Sequence, residues 1–182
     1  AAAAAATQAT VANQPEIRSG QINDKHNLKI IVFEGNDKQQ KLNFSAIDQV
    51  KTGFWVISRH LNGNQNANFF GADAGGWGKN YYNNGIWRYN QGALNPVGSA
   101  SWRTNGQSSD SFPLGLQIVC ANIPDFAFAD QIGANAQSDG FFRGNIGEIL
   151  IYDRILSTSE IDTVEQYLGS KWGIALAGDT AQ

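Results

Sequence analysis

The stretch Phe141-Phe142-Arg143-Gly144-Asn145-Ile146-Gly147-Glu148-Ile149-Leu150-Ile151-Tyr152-Asp153-Arg154, continued by Ile155-Leu156-Ser157, sets the fold class of this chain. Its apolar and β-branched residues, punctuated by glycine, predict a long strand over 141–153. Residues 157–173 predict a helix. Ser157 stands three residues before Glu160, the spacing of a capping box, in which each side chain satisfies one free N–H of the helix start. Ile161, Val164 and Leu168 then recur at the helical period, with Tyr167 and Trp172 beside them. Gly173 marks the stop.

Elsewhere in the chain, strands are predicted at 28–35, 41–44, 53–59, 99–103, 112–121 and 126–132. Residues 7–21 read as polar and irregular, and 61–95 as Asn- and Gly-rich loops with short strands and interleaved aromatics. Phe126, Phe128 and Ile132 share one face of their strand. Phe112, Leu114, Leu116, Ile118 and Cys120 alternate at the strand period, which turns Cys120 into the core. Many strands separated by turn signals, with one closing helix and no dividing linker, predict a single all-β domain. Its architecture is an antiparallel two-sheet sandwich with a short C-terminal helix.

Composition agrees. The 182 residues suffice for one domain with a substantial core. With 42% hydrophobic and only 16% charged residues, 20 glycines, five Trp and ten Phe, the chain is turn-rich and aromatic. A net charge of −3 supplies no basic field for nucleic acid. The apolar runs are too short to cross a bilayer as helices, so no membrane insertion is expected. Cys120 is the only cysteine, so no internal disulfide can form, and nothing near it in sequence would stabilise a thiolate. There is no methionine and no signal-peptide pattern. The chain is therefore expected to be processed or part of a longer polypeptide, and the bare run Ala1–Ala6 carries no fold inference.

The letters Gly144-x-Ile146-Gly147-Glu148-Ile149-x-Ile151-Tyr152-Asp153-Arg154-x-Leu156-Ser157, then Glu160-Ile161-x-x-Val164-Glu165-x-Tyr167-Leu168-x-x-Lys171-Trp172-Gly173-Ile174, resemble the C-terminal signature of LamG-like, concanavalin A-like jelly-roll domains. Ala6-Thr7-Gln8 with Gln14-Pro15 is similar to an early segment of that family. Val32-Phe33-Glu34-Gly35 resembles its next strand end, with Glu34 in place of the usual Asp. The resemblance implies a jelly-roll over 1–182, with loops and a concave face presented to glycans, in a protein outside the cell or on a virion or cell surface. It also implies a strand ahead of Ala6, where this chain has alanines. The polypeptide is thus expected to continue N-terminally, or a neighbouring chain to complete that edge.

Glu160-Ile161-Asp162-Thr163-Val164-Glu165 matches the E-x-D-x-x-E spacing of retaining β-glucanases, which share this jelly roll. There the motif lies on a strand, where alternation aims two carboxylates into one cleft. Here it falls on a capped helix, where residues two apart diverge by roughly 200°. No enzyme is expected. His26 and His60 are isolated, no G-x-S-x-G elbow occurs, and Asp73 and Asn80 spoil the glycine-rich 71–79 as a phosphate loop.

The binding candidate is 77–90: Trp77, Tyr81, Tyr82, Trp87, Arg88 and Tyr89, interleaved with Gly and Asn. Sugars stack flat C–H faces on aromatic rings, while guanidinium and amide groups bond their hydroxyls. The same residue types also fill cores and anchor protein interfaces. Trp102 and Arg103 would extend the surface, whereas Trp55, in an apolar strand, reads as core. Asn62, Asn64, Asn66 and Asn68 alternate, and with Asp73 they offer oxygen ligands for calcium. Four neutral amides make a poor cage, so Asp73, Asn64 and Asn66 stand as metal candidates against the alternative of a plain polar loop. The expected function is a non-catalytic carbohydrate-binding or adhesion module. The second reading is a structural or decoration protein of a virion (phage capsid or fibre) or cell-surface assembly, packed against neighbouring chains. A glycoside hydrolase is the third.

Overall fold

The computed structural model describes residues 6–22, 25–60, 66–71, 86–90, 93–94, 100–109, 111, 114–134 and 141–178. Its strands are β1 (Glu16–Ile22), β2 (Lys25–Glu34), β3 (Leu42–Arg59), β4 (Asn66–Gly71), β5 (Ile86–Asn90), β6 (Ala93–Leu94), β7 (Ser101–Thr104), β8 (Gln107–Ser108), β9 (Gln117–Ile132) and β10 (Arg143–Tyr152). The α-helix among the described residues is α1, Thr158–Trp172. Every strand pair is antiparallel.

Hydrogen bonds connect all ten strands, yet they form two layers, because β3 and β9 bend from one into the other. These two strands pair along their whole length, with three register breaks between Asn43 and Thr52. On β9, four residues separate Asn122 from Ala127, while on β3 only Lys51 separates their partners Thr52 and Val50. Such bulges bend and twist a strand. Pro124 sits in this one, at a position where a missing N–H costs no ladder bond. Beyond the bend, Thr52–Ile57 and Gln117–Asn122 belong to a large sheet ordered β1-β2-β10-β3-β9-β7-β8. Before it, Leu42–Val50 and Ala127–Ile132 join β4, β5 and β6 in a small one. The chain is thus an all-β sandwich of two antiparallel sheets closed by a C-terminal helix.

Alternation along the large sheet feeds two separate cores. Trp55, Ile57, Val119 and Ala121 point between the sheets and meet Phe69 and Phe70 of β4, with Trp102, Phe33 and Phe142. Phe54, Val56, Ile118 and Cys120 point the other way and meet Leu156, Ile161, Leu168 and Trp172, so α1 covers the outer face of the large sheet. On β10 the alternation changes phase. Ile146 faces the inter-sheet core, and so do Ile149 and Ile151, because the register slips between Ile146 and Glu148. Gly147 is the extra residue, and a Cβ there would lie 2.5 Å from the Trp172 ring. At Gly144 a Cβ would run into the Ser58 carbonyl oxygen of the neighbouring strand. Close approach of backbone and ring therefore requires glycine at both points.

The N-terminal segment is pinned by amides. Thr7 and Asn43 exchange backbone bonds of 2.7 and 2.8 Å. Gln8 donates to the Lys41 carbonyl, Gln14 to that of Gln8, and Gln40 to that of Gln14. Thr7, Gln8 and Gln14, the letters of the early resemblance, are thus the residues that fasten the segment.

Several expectations need correction. The polar stretch read as irregular contains β1, which exists through pairing with β2 rather than through any apolar alternation of its own. The pairs 41–44 with 53–59 and 112–121 with 126–132 are each one bent strand. β9 begins at Gln117, and Leu114 is exposed rather than part of the alternating face. Cys120 faces a core as its alternation predicts, the one beneath α1. The side chains of Phe126 and Phe128 lie outside the described residues.

Candidate functional site

The paired-carboxylate motif resolves into structural duties. Ser157 caps α1, accepting from the Glu160 N–H at 3.4 Å, while the Ser157 N–H donates to Glu160 Oε2 at 2.8 Å. Arg154 grips the same carboxylate through Nη1 and Nη2 at 3.0 and 2.6 Å. Arg154 first, then the Ser157 bonds, hold the Glu160 carboxyl far below its ordinary range, at about 2. A depressed carboxyl pKa stabilises the fold above the unfolded value and loses that contribution as pH falls through the folded one. Between about pH 4.5 and 2 the wild type therefore sheds stability that a Glu160→Ala variant never had. Acid titration followed by circular dichroism should show the two unfolding curves converging across that interval. Curves that stay parallel would deny Glu160 this role.

Asp162 and Glu165 meet Arg103, which reaches across from β7. Arg103 Nη2 donates to Asp162 Oδ1 and Glu165 Oε2, both at 2.7 Å, and to the Gly106 carbonyl at 3.0 Å. Its Nε reaches Glu165 Oε1 at 3.3 Å. The Glu165 side chain is 1% exposed, so this carboxylate has left water for the guanidinium fork. The Glu165 bond raises the Arg103 pKa above its already high normal value. Cys120, opposite Arg103 in the ladder, has its thiol pushed up by burial, with Glu165 adding and Arg103 opposing. An inert thiol results.

Trp102 and Arg103 therefore do not extend a binding surface. Trp102 is 6% exposed, and its ring centroid lies 6.5 Å from that of Trp55. Trp55 is fully buried, as its apolar strand predicts. At the end of α1, Trp172 Nε1 and Lys171 Nζ both donate to Glu148 Oε2, at 2.8 and 2.9 Å, and seat the helix on β10. Tyr167 is half-exposed and stacks with Lys171 rather than joining the core.

Of the aromatic stretch, Trp77, Tyr81 and Tyr82 lie outside the described residues, as do Asp73 and Asn64. Trp87, Arg88 and Tyr89 lie on β5, hydrogen-bonded between β4 and β6. Trp87 stands opposite Phe70, Arg88 opposite Asn68, and Tyr89 opposite Ala67. Asn66 begins β4 opposite Asn90. Side chains of β5 and of Asn66 lie outside the described part of the structure. Among the described residues, no three His, Cys, Asp or Glu side chains gather in a metal-binding group. No helix among them is long and apolar enough to cross a membrane.

One polar group escaped sequence reasoning. Gln131 of β9 is fully buried, and among the described residues neither its amide nitrogen nor its oxygen has a hydrogen-bond partner. It lies between Asn43 of β3 and Gly71 of β4, in the small sheet that also holds β5. A buried amide open at both ends is a place for a water or a ligand hydroxyl. Nothing local distinguishes it from any other glutamine in a strand. No family model matches the chain, and neither a curated protein nor a solved structure does.

Proposed function

We propose that this chain is a non-catalytic carbohydrate-binding or adhesion module of the concanavalin A-like, LamG-like kind, displayed on an extracellular, virion or cell surface. The observation that carries the reading is β5. Trp87, Arg88 and Tyr89 stand on a strand hydrogen-bonded on both sides, with the two aromatic positions on one face and Arg88 on the other, so the register of β5 sets where each is attached. Trp77, Tyr81 and Tyr82 complete the set in sequence. The engagement of Glu160, Asp162 and Glu165 with Ser157, Arg154 and Arg103 supports binding over hydrolysis, because hydrolysis needs two free carboxylates facing one cleft.

Saccharide binding by Trp77→Ala and Arg88→Ala should fall by at least ~10-fold each in titration calorimetry, with the melting temperature unchanged. Calcium coordinated by Asp73, Asn64 and Asn66 would add a chelator-sensitive share of the affinity. Undiminished affinity in both variants would remove this site.

The second reading, a structural or decoration module packed against neighbouring chains, draws support from the exposed edge of the large sheet at β1.

A further inference from the structure

Strand β1 is the outer edge of the large sheet. It pairs with β2 on one side and with no described strand on the other. Glu16, Ile17, Arg18 and Ser19 are all exposed, so neither face of this stretch is covered. Ile17 alone is 67% exposed. An open edge presents a row of backbone donors and acceptors to any strand that approaches. Protected edges carry charged side chains, prolines or bulges that repel or turn away an incoming strand. In β1 the proline, Pro15, lies before the strand, and the bulge falls at its far end between Gly20 and Ile22. The charges are one of each sign, Glu16 and Arg18, bound within the strand at 2.8 Å.

This spacing is self-complementary. When two copies pair antiparallel about a two-fold axis through Ile17, residue 16 of one faces residue 18 of the other. Glu16 then lies opposite Arg18 of the second copy, and Arg18 opposite its Glu16. Ile17 meets Ile17 on the opposite face of the ribbon. Cross-strand opposite charges and an apolar pair are the contacts that stabilise a ladder. The exposed ion pair within each strand is worth little, so exchanging it for the cross-strand pairs costs little.

We propose that β1 is a self-association edge: two copies of this chain pair through Glu16–Ser19 in antiparallel register centred on Ile17, and their large sheets become one. The contact is a single short strand, well below the size of a standard stable interface, so the dimer is a weak one. Two binding modules joined in this way would engage a multivalent surface with higher avidity than either alone.

The test is sedimentation equilibrium of the full chain across a wide concentration range. It compares the wild type, Arg18→Glu, Glu16→Arg, and an equimolar mixture of the two variants. The wild type is expected to dimerise with rising concentration. Each variant alone should associate at least ~10-fold more weakly, because like charges face each other across the axis. The mixture should regain the dimer, since one variant then carries two cations and the other two anions at the facing positions. Both substitutions are at exposed sites, and unchanged melting curves would show that the variants fold. A wild type that stays monomeric throughout overturns the proposal and leaves the edge to a strand from another protein. Equal dimerisation of all forms places the contact elsewhere and also overturns it. A mixture that remains monomeric overturns the register centred on Ile17.

Discussion

Arg103→Ala is expected to destabilise the protein by about 3–5 kcal/mol, because it strands the Glu165 carboxylate in a site from which water is excluded. Glu165 is fully buried, and the two Arg103 bonds are the interactions that offset its desolvation. For a chain of this length the loss lowers the melting temperature by about 6–20 °C. Arg103→Lys should recover only part of it. A point charge cannot reproduce the fork that joins Glu165, Asp162 and the Gly106 carbonyl. The double replacement Arg103→Met with Glu165→Leu should lie much closer to wild type, since a buried ion pair exchanged for apolar groups of similar volume is often neutral. Calorimetric melting of the three variants tests the set. A single variant that melts with the wild type would mean that Glu165 finds another partner or water.

Trp55→Ala is the second large effect, about 3–5 kcal/mol from lost transfer energy and the cavity left behind. Trp55 is fully buried and stands where the layers meet. Its ring meets Phe69 and Phe70 of the small sheet edge-on, each with centroids 5.6 Å apart, and Trp102 of the large sheet obliquely. Removing it separates aromatic contacts on both sides at once, so the surroundings cannot collapse from one side alone. Trp55→Phe should cost distinctly less in denaturant unfolding. Equal costs for the two substitutions would argue that the indole is not wedged between the layers.

How much of this was legible depended on whether the signal was local. The capping box at Ser157 and Glu160, the helical recurrence of Ile161 and Leu168, and the left-handed Gly173 cap depend on neighbours a few residues away, and α1 forms as they predict. The strand after Phe142 reads directly for the same reason. The phase change at Gly147 leaves only a glycine as its mark, although that glycine stands in the resemblance to LamG-like domains. Bends in β3 and β9 leave no local mark except Pro124, so single strands read as pairs. β1 owes its existence to β2, 16 residues away at the Glu16–Val32 pair, and its own residues alternate nothing apolar. Trp102 and Arg103 show the limit of alternation. Period two correctly places them on opposite faces, but it does not say that one face is the inter-sheet core and the other the underside of α1. The carboxylates were readable once the helix was, because a capped helix cannot aim Glu160 and Asp162 into one cleft.

The decisive experiment is a glycan array probed with the folded wild-type chain, with and without calcium, alongside a hydrolysis assay on every saccharide retained. Retention of a defined saccharide class, lost in Trp77→Ala and Arg88→Ala and without release of reducing ends, is the expected result. Folded protein that retains no saccharide would contradict the binding role and favour a structural one. Hydrolysis of a retained saccharide would contradict the assignment of Glu160, Asp162 and Glu165 to the fold.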